Sequence, residues 1–418
     1  MRPVYLIAGG LAQATSLEPA RDYRFLVREA FDYACASVPR LSPAQVDTCV
    51  ASVFCDQLSR QLAAASFAAD HLGLPPRPVI RVEAGGASGG AALQAGWAEV
   101  ACGRADLCLV FGFDQVSLLL AEQAREVLAQ EHDLNFDHPL GASGPVQASL
   151  MARRHMHRFG TTEHHLASIA AKNLSHGRHN PFARRSGEYT VEQILASPRV
   201  ADPLTGLQVA PEVDAAAVCL LASAKTAARL CSCPVRMAGL GRGSEYARLA
   251  DRPRGDVLLL PHEHPVDYRG VNFPGVHSSR AGRQAALQAY TMAGINDPVH
   301  QVDLAEVDDR TTFGELLACE QLGFCRIGDG GRLVAEQTSW ANGSLPVNLS
   351  GGLLSLGVAA GSSGLIQAMM ALWQLQGAVA HHCRGDGTLQ VEGAKIAVVH
   401  SSNYSGSLAT VTVLRKED

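Results

Sequence analysis

Three short segments carry side chains that could take part in chemistry. The first, Arg81 to Leu93, is rich in glycine and alanine and contains Ser88. The second is Asp308-Asp309-Arg310, and the third is His400-Ser-Ser-Asn-Tyr-Ser-Gly-Ser407, which follows an apolar run. No base is recognisable near Ser88 that would make it a nucleophile. We therefore interpret Ser88 as a residue that satisfies backbone donors at the start of a helix.

The other two segments leave alternatives open. Asp308, Asp309 and Arg310 predict either a catalytic carboxylate with its orienting cation or a local ion-pair network. His400 is interpreted as a hydrogen-bonded structural histidine, with a ligand or acid–base role as the alternative. The candidate residues for such chemistry are Asp308, His400, Asn403 and Tyr404.

The cysteines and histidines do not predict a metal site. Eleven cysteines, scattered through apolar contexts, indicate reduced core residues and not a disulfide framework. The close pair Cys231-Ser-Cys233 lacks a second pair at zinc spacing. The histidine pairs lie among polar residues and indicate solvated surface or local hydrogen bonds. We expect neither a metal nor a resident cofactor.

Composition narrows the function classes. The chain has 418 residues, of which 47% are hydrophobic and 18% charged, as in a globular protein of two or three domains. Its net charge of -5 argues against a nucleic-acid partner, which would need a concentrated basic surface. The sequence contains no run of about 18 apolar residues, so no membrane-spanning helix is predicted. The N-terminus predicts a first strand and not a signal peptide, so a cytoplasmic location is expected.

Strand and helix patterns alternate in both parts of the chain. An alanine-rich helix is predicted from Ser88 to Cys102, followed by a strand from Asp106 to Gly112. The later part repeats the pattern, with a helix from Leu365 to Gln376 and a strand from Ala394 to His400. This repetition predicts two duplicated α/β halves with a parallel sheet.

The predicted boundaries follow from changes in composition. The first half is expected to span residues 1–240 and to include a polar, helical insertion at about 115–205. A linker at 241–265 begins with a stretch rich in proline, glycine and charge. The second half is expected to span 266–418.

Several blocks, in a constant order, resemble the thiolase superfamily. Arg81 to Leu93 resembles the signature V-E-x-x-C-A-S-G-x-x-A-L. Further blocks are Phe159–Glu163, Ala170–Asn173, Asn180–Ala183, Ala201–Thr205, Val213–Ala217, Gln288–Ile295, Leu322–Cys325 and Ser350–Ser355. The chain resembles the sterol-carrier-protein-x type of thiolase, a group that includes thiolase-like aldolases of steroid side-chain breakdown. The resemblance implies two halves in five α-β-α-β-α layers, a helical loop domain over the active site, and a dimer.

The resemblance also implies that the thiolase catalytic residues are missing. Gly86 stands where the family has its nucleophilic cysteine. Asp308 and Arg310 stand where a His-Asp-Cys-Phe motif has a histidine and a proton-shuttling cysteine, and Val358 replaces the histidine of a Gly-His-Pro motif. Because none of these side chains supplies the lost nucleophile or bases, we expect no thiolysis by this chain alone.

Two functions follow from this pattern. The first is a noncatalytic subunit of a hetero-oligomeric acyl-CoA thiolase or acyltransferase complex. It would form a homodimer or heterodimer, with an active thiolase paralogue or a zinc-ribbon/OB-fold protein as partner. The alternative is an acyl-CoA-processing enzyme of different chemistry, a retro-aldol C–C lyase or an acyltransferase, working with such a zinc-ribbon partner. A coenzyme A thioester from lipid or aromatic acyl-CoA metabolism is the expected ligand.

Overall fold

The computed structural model describes residues 1–14 and 21–417. The strands are β1 Val4–Ala14, β2 Thr48–Val53, β3 Val79–Val82, β4 Leu107–Asp114, β5 Arg199–Ala201, β6 Leu204–Thr205, β7 Asp214–Ser223, β8 Val235–Ser244, β9 Arg254–Gly255, β10 Phe273–Pro274, β11 Leu304–Glu306, β12 Ile396–Ser402 and β13 Leu408–Lys416. The α-helices are α1 Tyr23–Ala36, α2 Asp56–Ser59, α3 Ala64–His71, α4 Ser88–Ala101, α5 Ala121–Ala129, α6 Gly144–Phe159, α7 Glu163–His176, α8 Val191–Leu195, α9 Ala224–Leu230, α10 Arg280–Ala293, α11 Pro298–Gln301, α12 Thr312–Gln321, α13 Gly330–Ala335, α14 Gly352–Leu356, α15 Ala360–Gln376 and α16 Val379–His382.

Two half-sheets with the same pairing pattern meet at β1 and β8. Among the described residues, nine strands run in the order β11-β12-β13-β8-β1-β7-β4-β2-β3. In the first half β1 pairs antiparallel with β7, β7 antiparallel with β4, and β4 parallel with β2. In the second half β8, β13, β12 and β11 repeat this antiparallel, antiparallel, parallel series. The repeated topology agrees with the predicted duplication, but the sheet is mixed and not the parallel sheet that the alternation of strands and helices predicted.

Helices α4 and α15 pack between the two half-sheets and touch strands of both. Their contact is close because it is made by glycines: a Cβ at Gly89 would lie 2.8 Å from the backbone nitrogen of Gly364. Helix α1 covers the outer face of the first half-sheet, and α10 covers that of the second. The described residues thus form the five-layer thiolase fold that the sequence predicts.

Two predicted boundaries differ from the structure. Helix α15 begins at Ala360, five residues before the predicted start, because Gly361 and Gly364 lie inside it and allow close packing. Strand β8 continues to Ser244, past the predicted start of the linker at 241. Its Gly241 faces α10, where a Cβ would lie 1.8 Å from the Ala285 carbonyl oxygen. In both places glycine serves close packing and not a chain break.

The predicted insertion contributes helices α5 to α8 between the strands of the first half. Helices α6 and α7 contact α12, which follows the Asp308–Arg310 segment. None of the helices in the described ranges is long and apolar enough to cross a membrane.

Candidate functional site

Gly86 lies in the turn between β3 and α4, and Ser88 holds that turn. The Ser88 hydroxyl donates to the Gly85 carbonyl oxygen at 2.6 Å and accepts from the Ala84 amide at 2.9 Å. Gly85 has a φ of +54°, a conformation that glycine adopts without strain. Ser88 is fully buried. Its hydroxyl is therefore engaged with the backbone, in line with the structural interpretation of this residue.

The guanidinium of Arg310 fills the space beside Gly86. A Cβ at residue 86 would lie 2.3 Å from Arg310 Nη1 and 2.8 Å from Cζ. Arg310 Nη2 also donates to the Gly86 carbonyl oxygen at 3.0 Å. Both residues are buried. The absence of a side chain at 86 is what allows the guanidinium to lie here.

Asp308 binds Arg310 through both carboxylate oxygens. The distances are 2.9 Å from Nε to Oδ1 and 2.8 Å from Nη2 to Oδ2. Although burial lowers it, the paired carboxylate leaves the pKa of Arg310 above its usual value. The two residues form a buried, bidentate ion pair, which is one of the two arrangements that the sequence left open.

Asp309 belongs to a different network from Asp308. Its carboxylate accepts from the amides of Leu353 and Leu354 at the start of α14 and from the side chain of Asn173 at 2.7 Å. A second buried acid, Glu315, pairs with Lys172 at 2.9 Å in the same region. Further members of this network are Asn348 and Val347. These contacts join the second half to α7 and stabilise the framework around the site.

Glu131, which follows α5, binds the backbone amide of Gly86 through its carboxylate. Its carboxylate accepts a hydrogen bond from the Gly86 amide, and a Cβ at Gly85 would collide with it. Burial raises the pKa of Glu131, while Arg310 and the Gly86 amide lower it. The amide of Gly86 is thus already hydrogen-bonded to an acid. Glu131 lies in the polar insertion, outside every block that resembles the thiolase superfamily.

Tyr404 and Glu212 form the solvent-accessible side of the site. The Tyr404 ring lies against the Arg310 guanidinium, with Cζ 5.0 Å from the ring centroid. Its hydroxyl donates to Glu212 Oε1 at 3.4 Å. Desolvation by the surrounding protein raises the pKa of Glu212 to about 7, although the residue reaches solvent. Burial, followed by the charge of Glu212, raises the pKa of Tyr404 above its usual value.

His400 is buried in β12 at 2% exposure, and neither ring nitrogen has a hydrogen-bond partner among the described residues. Desolvation lowers its pKa to about 4; the Asp308 carboxylate opposes this change and Arg310 adds to it. A neutral, unpaired imidazole differs from the hydrogen-bonded histidine that we interpreted from the sequence.

Asn403 and Val358 have structural contacts. Asn403 donates to the Ser407 hydroxyl at 2.9 Å and accepts from the Leu408 amide at 3.2 Å, which closes the turn between β12 and β13. Val358 is buried, and its amide donates to the Pro211 carbonyl oxygen at 2.8 Å, next to Glu212. The structure therefore brings Gly86, Asp308, Arg310, His400 and Tyr404 together. It adds Glu131 and Glu212, which no sequence motif marked.

A cleft of about 430 Å³ opens beside Gly85 and Glu131. Its apolar wall includes Phe54, Val127 and Leu408, and its polar wall includes Glu83, Glu131, Glu245 and Asn403. Three carboxylates disfavour the phosphates of a coenzyme, whereas the apolar wall suits an acyl or pantetheine-like chain. Cys55 also lines the cleft, and burial raises the pKa of its thiol.

No group of three histidine, cysteine, aspartate or glutamate side chains is placed to hold a metal ion within residues 1–14 and 21–417. His155, from one of the histidine pairs, is fully buried. Its two ring nitrogens contact Glu320 at 3.1 Å and Thr161 at 2.9 Å. Local hydrogen bonding therefore accounts for this histidine.

Family models match both halves of the chain. The model described as "Thiolase, N-terminal domain" matches residues 12–192, and "Thiolase C-terminal domain-like" matches residues 273–416. This chain belongs to the thiolase superfamily. It is 33% identical to an acetyl-CoA acetyltransferase of Methanothermobacter thermautotrophicus, over 84% of this chain and 83% of that protein.

Two further proteins extend the comparison of this thiolase-fold chain. Sterol carrier protein 2 of Homo sapiens is 30% identical over 98% of the chain and 71% of that protein. The solved structure described as an Ltp2-ChsH2(DUF35) aldolase has a TM-score of 0.77 at 20% identity, covering 99% of this chain and 98% of that one. The structural likeness supports the fold, and the sequence relatives support the sterol-carrier type of thiolase.

Proposed function

We propose that this chain is a noncatalytic subunit of a hetero-oligomeric acyl-CoA thiolase or acyltransferase complex. The observation that supports the proposal is the position of Arg310, whose guanidinium lies where the side chain of a nucleophile at residue 86 would project. The backbone amide of Gly86, in the turn just before α4, donates its hydrogen bond to Glu131. The space for a nucleophilic side chain at residue 86 is therefore filled by Arg310. The backbone amide that would stabilise an acyl-enzyme is already hydrogen-bonded to Glu131.

No other described nucleophile in the site is well suited to replace the cysteine. The hydroxyl of Ser88 is bound to the backbone. Burial keeps the Cys55 thiol protonated at neutral pH by raising its pKa, and the thiolate is the reactive form. We therefore expect the purified chain to remain unacylated after incubation with acetyl-CoA or a 3-oxoacyl-CoA. Intact mass and peptide mapping test this, and a stoichiometric acyl adduct on Ser88 or on any cysteine would refute the noncatalytic assignment.

The proposed assembly uses the edge of the first half-sheet. Strand β3 is an edge strand among the described residues, and Ile80 on it is 47% exposed. An exposed apolar edge strand is a surface on which a second chain can pair. The proposed dimer interface comprises this strand and its surroundings at residues 80 to 115. The partner is an active thiolase paralogue or a zinc-ribbon/OB-fold protein, and the described Ltp2-ChsH2(DUF35) aldolase is a two-component precedent.

Copurification from the native host tests this assembly. Mass spectrometry should identify a cysteine-bearing thiolase or a zinc-ribbon protein at a fixed ratio to this chain. Ile80→Asp should release that partner, whereas Val200→Asp, at another exposed apolar position, should retain it. A strictly monomeric chain that changes the activity of neither partner would contradict the subunit proposal.

One observation favours the alternative function, an acyl-CoA-processing enzyme of different chemistry. Glu212 reaches solvent and contacts the Tyr404 hydroxyl, and desolvation by the surrounding protein raises its pKa towards neutral. A carboxyl group that exchanges protons near neutral pH is suited to general acid–base work in a retro-aldol or acyl-transfer step. A coenzyme A thioester is the ligand proposed for both functions.

The two functions predict different results for variants of this pair. Glu212→Gln and Tyr404→Phe would each lower retro-aldol cleavage of a β-hydroxyacyl-CoA by about 100-fold if they act as acid and base. Glu392→Gln and Tyr246→Phe, at exposed positions outside the site, serve as the matched controls. Wild-type protein without cleavage activity, alone or with its copurified partner, would remove the alternative.

A further inference from the structure

A cavity of about 170 Å³ lies between the C-terminal part of α6 and the chain segments on either side of β9. Its walls carry basic side chains and no carboxylate. The charged or titratable residues that line it are Arg154, Arg158, Arg252, Arg254 and His277. Such a concentration of positive charge is unexpected in a chain whose net charge is -5.

Arg252 forms the buried floor of the cavity, at 6% exposure. Its guanidinium donates to the carbonyl oxygens of Ser278, at 2.8 Å, and Ser405. Its Nε has no hydrogen-bond partner among the described residues. Burial lowers the pKa of Arg252 to about 10, so the group stays charged at neutral pH. A buried cation without a paired anion is costly, and a bound anion would remove that cost.

The rim residues also lack acidic partners. Arg154, Arg158 and Arg254 are exposed, and none forms a salt bridge with a carboxylate of the described residues. The nearby carboxylate of Asp251 is paired with Arg248 at 3.6 Å. The arginines therefore repel one another around a space that has no carboxylate among its described lining residues, although the charge of Glu245 acts on Arg252.

His277 completes the floor. It is buried, its Nε2 contacts the Asn272 carbonyl oxygen at 3.0 Å, and its Nδ1 has no partner among the described residues. Burial lowers its pKa to about 4, and the neighbouring His155 and Arg154 lower it further. The imidazole is thus held neutral chiefly by burial, and its unpartnered Nδ1 adds a second buried polar atom beside the cavity.

We propose that this cavity binds a phosphate group, as free phosphate or as a phosphomonoester whose remainder extends past the exposed arginines. Arginine presents a planar fork of donors that matches phosphate oxygens, and a dianion neutralises more of the cluster than a carboxylate does. A cavity of about 170 Å³ is large enough to hold one phosphate group.

The site is separate from the cleft beside Gly85, and it does not depend on the proposed function. Arg252 nevertheless connects the two regions, because it holds the carbonyl oxygen of Ser405, the residue after Tyr404. Occupancy of the cavity would therefore stabilise the loop that places Tyr404 against Arg310.

Titration calorimetry with inorganic phosphate tests the proposal, with chloride at matched ionic strength as the reference. The wild-type chain should bind phosphate with one site. Arg154→Gln/Arg158→Gln, at the exposed rim, should weaken binding by at least about tenfold, because each loses a charge-assisted hydrogen bond. Arg153→Gln removes a neighbouring charge from α6 that pairs with Asp202, and it should bind as wild type.

Arg252→Gln should abolish phosphate binding. The rim variant keeps the test valid if this buried substitution prevents folding. A wild-type chain that shows no phosphate binding beyond chloride, or an Arg153→Gln control that weakens binding as much as the rim variant, would overturn the proposal. Competition with coenzyme A and with dephospho-coenzyme A identifies the source of the phosphate. Displacement by the first alone indicates the 3′-phosphate of the coenzyme, and displacement by neither indicates free phosphate.

Discussion

Adding a single methyl group at residue 86 should destabilise this protein through Arg310. In Gly86→Ala the new Cβ would lie 2.3 Å from Nη1 and 2.8 Å from Cζ of the guanidinium. Optimal contacts between such atoms are about 3.5 to 4.0 Å, so the overlap is about 1 Å. The guanidinium cannot move away freely, because it is bound to both oxygens of Asp308 and to the Gly86 carbonyl oxygen.

The expected cost follows from the weakest of those bonds. Moving the guanidinium away from residue 86 would break the 3.0 Å bond to the Gly86 carbonyl oxygen and keep the carboxylate pair. A hydrogen bond to a charged group contributes about 1.5–3 kcal/mol, and overpacking of a core costs about 1–3 kcal/mol. We therefore expect Gly86→Ala to lower the free energy of unfolding by about 2 kcal/mol.

Urea denaturation measures this change, and a double-mutant design assigns it to Arg310. In the Asp308→Ala/Arg310→Ala background the same Gly86→Ala change should cost less than about 0.5 kcal/mol, since nothing remains to collide with the methyl group. Gly206→Ala is the matched control, because its Cβ would meet only the Pro198 carbonyl oxygen at 3.6 Å. Equal costs of Gly86→Ala in both backgrounds would refute the assignment of this space to the guanidinium.

Three further outcomes follow from the site and its surroundings. Gly86→Cys should neither form an acyl-enzyme on the introduced thiol nor catalyse thiolysis of 3-oxoacyl-CoA, because Arg310 and Val358 supply no base; an acyl adduct in the intact mass would contradict this. Glu306 is 1% exposed, and burial raises its pKa from 4.5 to about 7. Its contribution to folding stability is therefore complete below pH 4.5 and falls by about 3 kcal/mol as the pH rises to 7. Urea titrations across this pH range should show that Glu306→Gln removes this loss. Parallel pH dependences of the wild type and the variant would exclude the assignment to Glu306. For His400 the sign is opposite, since burial lowers its pKa from 6.5 to about 4. Stability should fall by about 3 kcal/mol as the pH drops from 6.5 to 4, and His400→Phe should flatten that dependence.

Sequence patterns predicted the elements well where the pattern is local. The helix predicted from Ser88 to Cys102 is α4, Ser88–Ala101, and the strand predicted from Asp106 to Gly112 is β4, Leu107–Asp114. The errors at the start of α15 and at the end of β8 involve glycines, because a glycine can either break an element or allow close packing, depending on what packs against it. Gly361 and Gly364 looked like a helix boundary but lie inside α15, where α4 approaches closely.

The site was predictable only where motifs marked it. The sequence identified Gly86, Asp308 and Arg310 one by one, and their contact depends on the packing of the second half against the turn before α4. Glu131 and Glu212 carry no local signal: one follows a surface helix, and the other precedes the Val213 block. Their raised pKa values come from desolvation by the surrounding protein, although Glu212 itself reaches solvent.

Gly86, Asp308 and Arg310 stabilise one another at this site. Glycine at 86 alone would leave a cavity, and Asp308 alone would be a buried carboxylate without a partner. The Arg310 guanidinium fills the space beside Gly86 and pairs with the Asp308 carboxylate. Because each residue needs the others, introducing a cysteine at residue 86 would require Arg310 to move and would disturb its pair with Asp308. The arrangement is therefore explained by the fit of these three residues to one another, and Glu212 and Tyr404, which bind each other, lie outside the bidentate ion pair.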